Sequence, residues 1–565
     1  MTTDLPPYSP ERLLAAPFPE RVQLVCRSWA AQVAPNPVAV MALYWAKYLV
    51  VYVGGWAGFV LLGAESGWSS LATWFSVAAF QKAVAWSIFY ELTGLGCSWG
   101  PMNARFKPMI GGFRYFLRPG TTKLPLFPGV PIIGAHRRGW LDVGLYAANQ
   151  FCLVRALLSP EITPELLLPS LVLIPLLGVL DKTVFLAARS EHYWVALVCL
   201  VAASADSLWI AGCKMIWCSI WFWAATSKVN HHFPSVIMFM MNNGPWLPRS
   251  WKERLFASYP DDLRPSKLAA TMAHGGTATE YLIPVLLLAS ASSPILTALV
   301  LCLMIGFHSF IALNNPNGMP IEWNLLMIYG GIFLFGFHPE VGLLALGASP
   351  LLLAFLVLCL IVVPLVGNFF PAHVSFLLSM RYYAGNWAYN IWLFRKNGSL
   401  EKLEKLKKSA GTMKEQLAQM GLDEDTVEFA AAMSLASRYM HFEGRALLDA
   451  LPRAVDRIDD YEWLEGEVFG GSIIGWNFGD GHLNGRHLLD AIQPQCDFEP
   501  GEVRLLSVES QPLFGHSMEW KVYDAATGLV DHGATALGPM KALQPWPVGA
   551  HAAAFETEPG GSTGA

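Results

Sequence analysis

Charge is what this sequence has least of. Asp, Glu, Lys and Arg together make up 14% of its 565 residues, against roughly 25% in soluble globular chains. The net charge is −5 and no segment is a dominant basic domain, which excludes a nucleic-acid binder. Cysteine is sparse and unpatterned. The nine cysteines form no CxxC pair and no Cys/His spacing of the zinc type, and most lie in apolar runs as small buried hydrophobes. Neither a GxGxxG loop after a strand nor a Walker loop is present, so no nucleotide site is expected. The N-terminus lacks a basic stretch followed by an apolar core, and no cleaved signal is expected.

What the chain has in abundance is apolar surface. Hydrophobic residues reach 54%, with 22 Trp and 32 Phe, and the mean hydropathy is +0.38. This composition describes a multi-pass membrane protein. A membrane crossing needs about 20 mostly apolar residues. Runs at 38–62, 71–92, 165–180, 193–226, 281–310 (broken at Pro294), 324–337 and 349–369 qualify. They predict a mainly α fold: a polytopic transmembrane helical bundle of about seven to nine spans. Broken backbone at membrane depth is tolerated only where it lines a cavity or is buried in protein, so the interrupted middle is where a site is expected.

Between Glu91 and Asp142 stand Arg105, Lys107, Arg114, Arg118, Lys123, Arg137 and Arg138, with no acidic residue. The bias of Lys and Arg to the inside face makes this loop and the N-terminus cytoplasmic; contact with anionic headgroups is the alternative use of the same charge. The expected organisation is a cytoplasmic segment over 1–37, the membrane bundle over 38–370 and a cytoplasmic helical connector over 371–455. A small β-rich domain over 456–545 and a disordered tail over 546–565 follow. Asp480, His482 and His487 fall in a polar loop of that domain, read as solvated.

Ionisable groups inside apolar runs are functional candidates by default. Lys228 ends the run Trp223-Ala224-Ala225-Thr226-Ser227-Lys228, and Lys214 sits on nearly the same helical face, so one of the two must be buried or paired. Asp206 is a candidate partner; interfacial snorkelling is the plain alternative for Lys228. His274-Gly275-Gly276 precedes Thr277 and Glu280, whose spacing also fits a helix capping box. His308 lies deep in apolar surroundings and is either a site residue or an interhelical hydrogen bonder. Asn314, Asn315 and Glu322 border a turn-forming stretch that is either a loop or a cavity wall. Together these residues predict an intramembrane acid–base site. Lysine acts as a base when burial brings its pKa down from about 10.4, and a histidine can shuttle the proton.

The order Ala224-Ala225-x-x-Lys228, His274-Gly275-Gly276, then Phe307-His308 before an Asn-rich stretch containing Gly318-Met319 resembles the vitamin K-dependent gamma-glutamyl carboxylase superfamily. Its bacterial relatives are the horizontally transferred transmembrane domain proteins. The likeness covers roughly 190–340. Residues 90–142, with Ala187-Ala188-Arg189-Ser190-Glu191-His192-Tyr193-Trp194, also resemble a bacterial, notably actinobacterial, multi-pass family of unknown function. The chain is identified as a divergent member of that family.

The carboxylase resemblance implies that Lys228 deprotonates a quinol, which reacts with molecular oxygen to an epoxide and a strong base, with His274 and His308 lining the site. His192-Tyr193-Trp194 matches the local context of a further family histidine, but it stands closer to the lysine than the family pattern. No site for a glutamate-rich protein substrate is recognisable. The partners implied are the lipid bilayer and a hydrophobic small molecule, a quinol or an isoprenoid. A non-catalytic protein that binds or moves lipids is the competing class. A working C-terminal domain on an inert membrane anchor is the third.

Overall fold

The computed structural model describes residues 10–32, 42–43, 45–63, 68–96, 113–244, 246–314, 321–381, 385–476 and 480–555. Asn315 and the basic residues Arg105 and Lys107 lie outside them.

The span count is the main correction. Among the described residues three helices are long and apolar enough to cross a bilayer: Asp206–Lys228, Pro294–Asn314 and Pro350–Phe369. Lys47–Leu61, Pro164–Leu180, Ser190–Ala202 and Ile321–Phe337 are shorter apolar helices. The seven to nine spans expected from hydropathy fail because hydropathy does not register local breaks. The 71–92 run splits into Leu71–Trp74 and Val77–Leu92, with the Ser76 hydroxyl accepting from the Ala79 N–H at 3.1 Å. The 193–226 run breaks after Ala202 and restarts at Asp206.

Helix Asp206–Lys228 is the axis of the bundle. Its apolar window is 83% buried, whereas the windows of Pro294–Asn314 and Pro350–Phe369 are each 28% buried and face outward. Trp209, Trp217, Trp221 and Trp223 are buried along it. Large apolar rings with one N–H each suit such a place only if the donor finds an acceptor. Trp217 donates to the Met327 carbonyl at 3.3 Å and Trp223 to that of Leu360 at 2.7 Å.

Outside the bundle, β1 (Phe256–Ser258) and β2 (Asp262–Pro265) form a hairpin. Strands β3 (Tyr389–Arg395), β4 (Tyr461–Glu465), β5 (Val503–Val508), β6 (Ser517–Asp524) and β7 (Gly528–Ala536) form one antiparallel sheet, ordered β4-β3-β5-β6-β7. The inner strand β3 comes from the stretch read as a helical connector. Ile391, Trp392, Leu393 and Phe394 are all buried, because the sheet is covered on both faces; such a strand lacks the alternation that betrays a one-sided sheet. Ile391 and Leu393 belong to one buried cluster with residues of helices Glu443–Ala454 and Phe18–Ala30. Trp392 and Phe394 join a core that runs unbroken into the membrane bundle.

The N-terminal helix and the sheet therefore share one core, with Phe18 stacked on Trp463 at 5.5 Å and Arg21 paired with Asp459 at 2.9 Å.

Two cations of the basic loop are neutralised internally. Lys123 pairs with Asp142 at 2.5 Å and Arg138 with Asp181, all four buried. They are structural ties, not headgroup contacts.

Helix Glu443–Ala454 starts hard against the preceding turn. A methyl at Gly444 would stand 2.0 Å from the Arg438 carbonyl oxygen and 2.8 Å from that of Tyr439. Backbone has nowhere to retreat, so Gly444→Ala should lower unfolding stability by about 1–3 kcal/mol. Gly538→Ala, where nothing lies within 4 Å, should be near neutral. Thermal midpoints of the purified chain measure both.

Candidate functional site

Helix Lys267–Ala289 runs unbroken through His274-Gly275-Gly276, and its N-cap is Ser266, whose hydroxyl accepts from the Ala269 N–H at 3.2 Å. The capping-box alternative for Thr277 and Glu280 is thereby excluded. Thr277 donates instead to the Ala273 carbonyl at 3.0 Å. Glu280, left without a capping role, crosses to the axial helix and meets Lys228: Nζ to Oε2 is 2.5 Å, with both side chains buried. Lys228 is not a snorkelling residue.

The pair separates two chambers. On the lysine side a chamber of about 50 Å³ is walled by Phe233, Met240, Met241, Met272, Phe307 and Asn314, among others. On the glutamate side a chamber of about 30 Å³ carries Arg189, His192, His308, Asn324 and three tryptophans.

His308 accepts from the Trp221 indole N–H at Nε2, 2.9 Å away, so its proton sits on Nδ1, 2.9 Å from Asn324 Oδ1. Both ring nitrogens are committed, and the shuttle role expected for His308 finds no free nitrogen. It lines the glutamate-side chamber together with Glu280. His274 goes elsewhere: exposed, six residues before Glu280, it lines a separate open cavity with Arg445 and Lys541. Asn314 lines the methionine chamber and donates to the Phe310 carbonyl at 2.9 Å.

Lys214 is buried too, but not in this site. It donates to the carbonyls of His338 at 2.8 Å and Val341 at 2.6 Å, where a C-terminal helical segment ends. Cations are favoured at such ends. Asp206 is not its partner; it accepts from the Trp209 indole at 2.8 Å, within its own helix turn.

Glu322 opens a polar cluster that extends the glutamate-side chamber. Its carboxyl lies near that of Glu91, both beside Gly96. Glu91 also accepts from Trp323 Nε1 at 2.6 Å, and the Arg189 guanidinium lies 3.0 Å above the Trp323 ring. Arg189 takes a left-handed backbone conformation (φ 51°) that starts the π-helical turn Ser190–Trp194. It donates to Glu191 at 2.5 Å, and Glu191 lies 3.2 Å from His192 Nδ1. π-turns of this kind often mark functional sites. Glu91 and Arg189 had a signal in the sequence, ionisable residues within or beside apolar runs, that was overshadowed by the lysines.

A further polar cluster lies in the soluble unit, where a solvated loop was expected. Asp480 is buried and accepts from the Ser375 hydroxyl at 2.5 Å. His482 bonds Glu509 at 2.9 Å beside a cavity of about 250 Å³. Burial opposes the charge on both, yet their mutual attraction wins: His482 is held above its ordinary pKa and Glu509 is drawn down to about 2. His487 is exposed, 3.2 Å from Lys182.

A family profile described as transmembrane protein of unknown function (DUF3556) matches residues 1–554. The chain belongs to the DUF3556 family. No curated protein and no solved structure matches it. As a DUF3556 protein the chain is a transmembrane protein, and its polar interior gathers around Lys228, Glu280 and the Glu91–Arg189 cluster.

Proposed function

We propose that the chain is an integral membrane enzyme that removes a proton from a hydrophobic lipid, a quinol or an isoprenoid, inside the chamber beside Lys228. The observation that carries this reading is the buried Lys228–Glu280 pair, set between an apolar chamber and a polar one. Buried ion pairs add little net stability compared with apolar packing, and ionisable groups at membrane depth are costly. A pair retained there is better explained by chemistry.

The pair works as a unit. A substrate hydroxyl in the lysine-side chamber gives its proton to Lys228 Nζ as that ammonium passes one of its own protons to the Glu280 carboxylate, so the new oxyanion faces an ammonium and Glu280 ends protonated. Total charge in the chamber does not change, which keeps the step cheap at low dielectric. The 50 Å³ chamber admits a ring only if Met240, Met241 and Met272 move, and unbranched thioether side chains adapt in this way. The carboxylase resemblance supports a quinol with molecular oxygen as the substrates and makes the lysine itself the base. The Lys and Arg bias of the 92–141 loop supports a plasma-membrane protein with its N-terminus and soluble unit in the cytoplasm.

Glu280→Gln separates the two assignments. With menaquinol and oxygen in nanodiscs, epoxide formation read by mass spectrometry should fall about 100-fold or more if Glu280 takes the proton. Retained activity would return the base role to Lys228. Absence of any conversion by wild type, with menaquinol or an isoprenoid alcohol, would favour the lipid-binding alternative, for which the methionine-lined chamber is equally suited.

A further inference from the structure

The open cavity that took His274 away from the membrane site has a composition of its own. It lies where helix Asp206–Lys228 ends and the soluble unit begins, and its volume is about 410 Å³. Arg445, Lys541, Arg264, His231 and His274 line it, and no carboxylate does. In a chain with more acidic than basic residues (43 against 38), an all-cationic lining is a marked local excess.

Arg264 is already committed, its guanidinium bound side-on to Asp262 at 2.5–3.1 Å. Arg445 is not. It is 2% exposed, and it donates only to carbonyls, Leu543 at 3.0 Å and His441 at 3.3 Å. No carboxylate among the described residues forms an ion pair with it. Glu443, two residues away, does not neutralise it, because burial pushes that carboxyl up to about 8. An uncompensated buried guanidinium is expensive, and here it borders a cavity large enough for a counter-charge. The exposed Lys541 adds a second permanent cation. His231 is held below its ordinary pKa by burial and then by Lys541 and His516. The first turn of helix Phe233–Asn243 contributes Pro234 and Ser235 to the wall, with the positive end of its dipole.

We propose that this cavity binds a phosphate group carried on an organic molecule, at the junction of the membrane bundle and the soluble unit. Guanidinium and ammonium groups converging without a carboxylate match a multiply charged tetrahedral anion. The volume exceeds what the anion alone fills. The proposal is independent of the chemistry at Lys228. A soluble phosphate ester and a phospholipid headgroup share the recognised group, and the site's position admits either.

Titrations of the full chain in phosphatidylcholine nanodiscs, at matched ionic strength, test the soluble source with sodium pyrophosphate as probe. Nanodiscs doped with phosphatidic acid test the lipid source. Binding is read as a rise in thermal midpoint and fitted to a dissociation constant. Lys541→Glu is surface-exposed and should fold normally, with an unchanged midpoint in the absence of either probe. It should weaken the effective probe about tenfold or more, and His274→Ala should weaken it less. A response to pyrophosphate assigns a soluble ligand, and a response to phosphatidic acid alone assigns a headgroup. If neither probe stabilises wild type, or if Lys541→Glu responds as wild type does, the proposal is wrong.

Discussion

Glu280→Ala should destabilise the folded chain by about 3–5 kcal/mol, the largest single-residue effect expected at the membrane site. The loss does not come from the attraction in the pair, which desolvation largely offsets. It comes from leaving the Lys228 ammonium, 3% exposed, without a counter-charge among Phe233, Phe307 and the methionines of its chamber. The double substitution Lys228→Met with Glu280→Leu removes both charges and keeps the volume, so it should recover most of the loss. Thermal midpoints of the three proteins in one detergent decide the matter. A double variant as unstable as the single one would mean that the pair is a structural tie and would remove the main reason for assigning it chemistry.

The second large effect is a pH dependence centred on Glu443. This carboxyl is wholly buried, with no side-chain hydrogen-bond partner among the described residues. Burial raises its pKa from an ordinary 4.5 to about 8 in the fold, against smaller opposing contributions from its own backbone N–H and then from Arg438 and Arg445. The folded state therefore holds a proton that the unfolded state releases. Stability is fully present below about pH 4.5 and is lost as pH rises through about 8. At 1.36 kcal/mol per pKa unit the loss is on the order of 5 kcal/mol. Glu443→Gln keeps the shape without the titration. Its midpoint should match wild type near pH 5 and exceed it clearly at pH 9. Parallel profiles for the two proteins would contradict the assignment.

How much of this was legible in the sequence depends on what each residue's role rests on. The membrane class follows from composition, and the interruption at Pro294 follows from its proline, whereas the break at 203–205 (Ala-Ser-Ala) carries no breaker and could not be placed. The span count does not, because a single cap such as Ser76 divides an apolar run without changing its mean. Lys228, Glu280 and His308 could be singled out because charge or imidazole in an apolar run is unusual. Their pairing could not, since 52 residues separate lysine from glutamate and only the packing of two helices sets the contact. His274 shows the reverse failure. A Gly-Gly beside a histidine suggests a loop near a ligand, yet helical continuity turns it about 120° away from Glu280, out of the site. Strand β3 escaped notice because a strand covered on both faces has no period to detect. Asp480 and His482 were taken for a solvated loop because their partners, Ser375 and Glu509, lie far away in sequence.

The most direct test of the central claim is native mass spectrometry with lipid extraction, comparing wild type with the folded double variant Lys228→Met, Glu280→Leu. A quinone or isoprenoid should co-purify with both proteins and be chemically altered only by wild type. The same unaltered lipid on both would contradict an enzyme at Lys228 and Glu280 and leave a lipid-binding protein in its place.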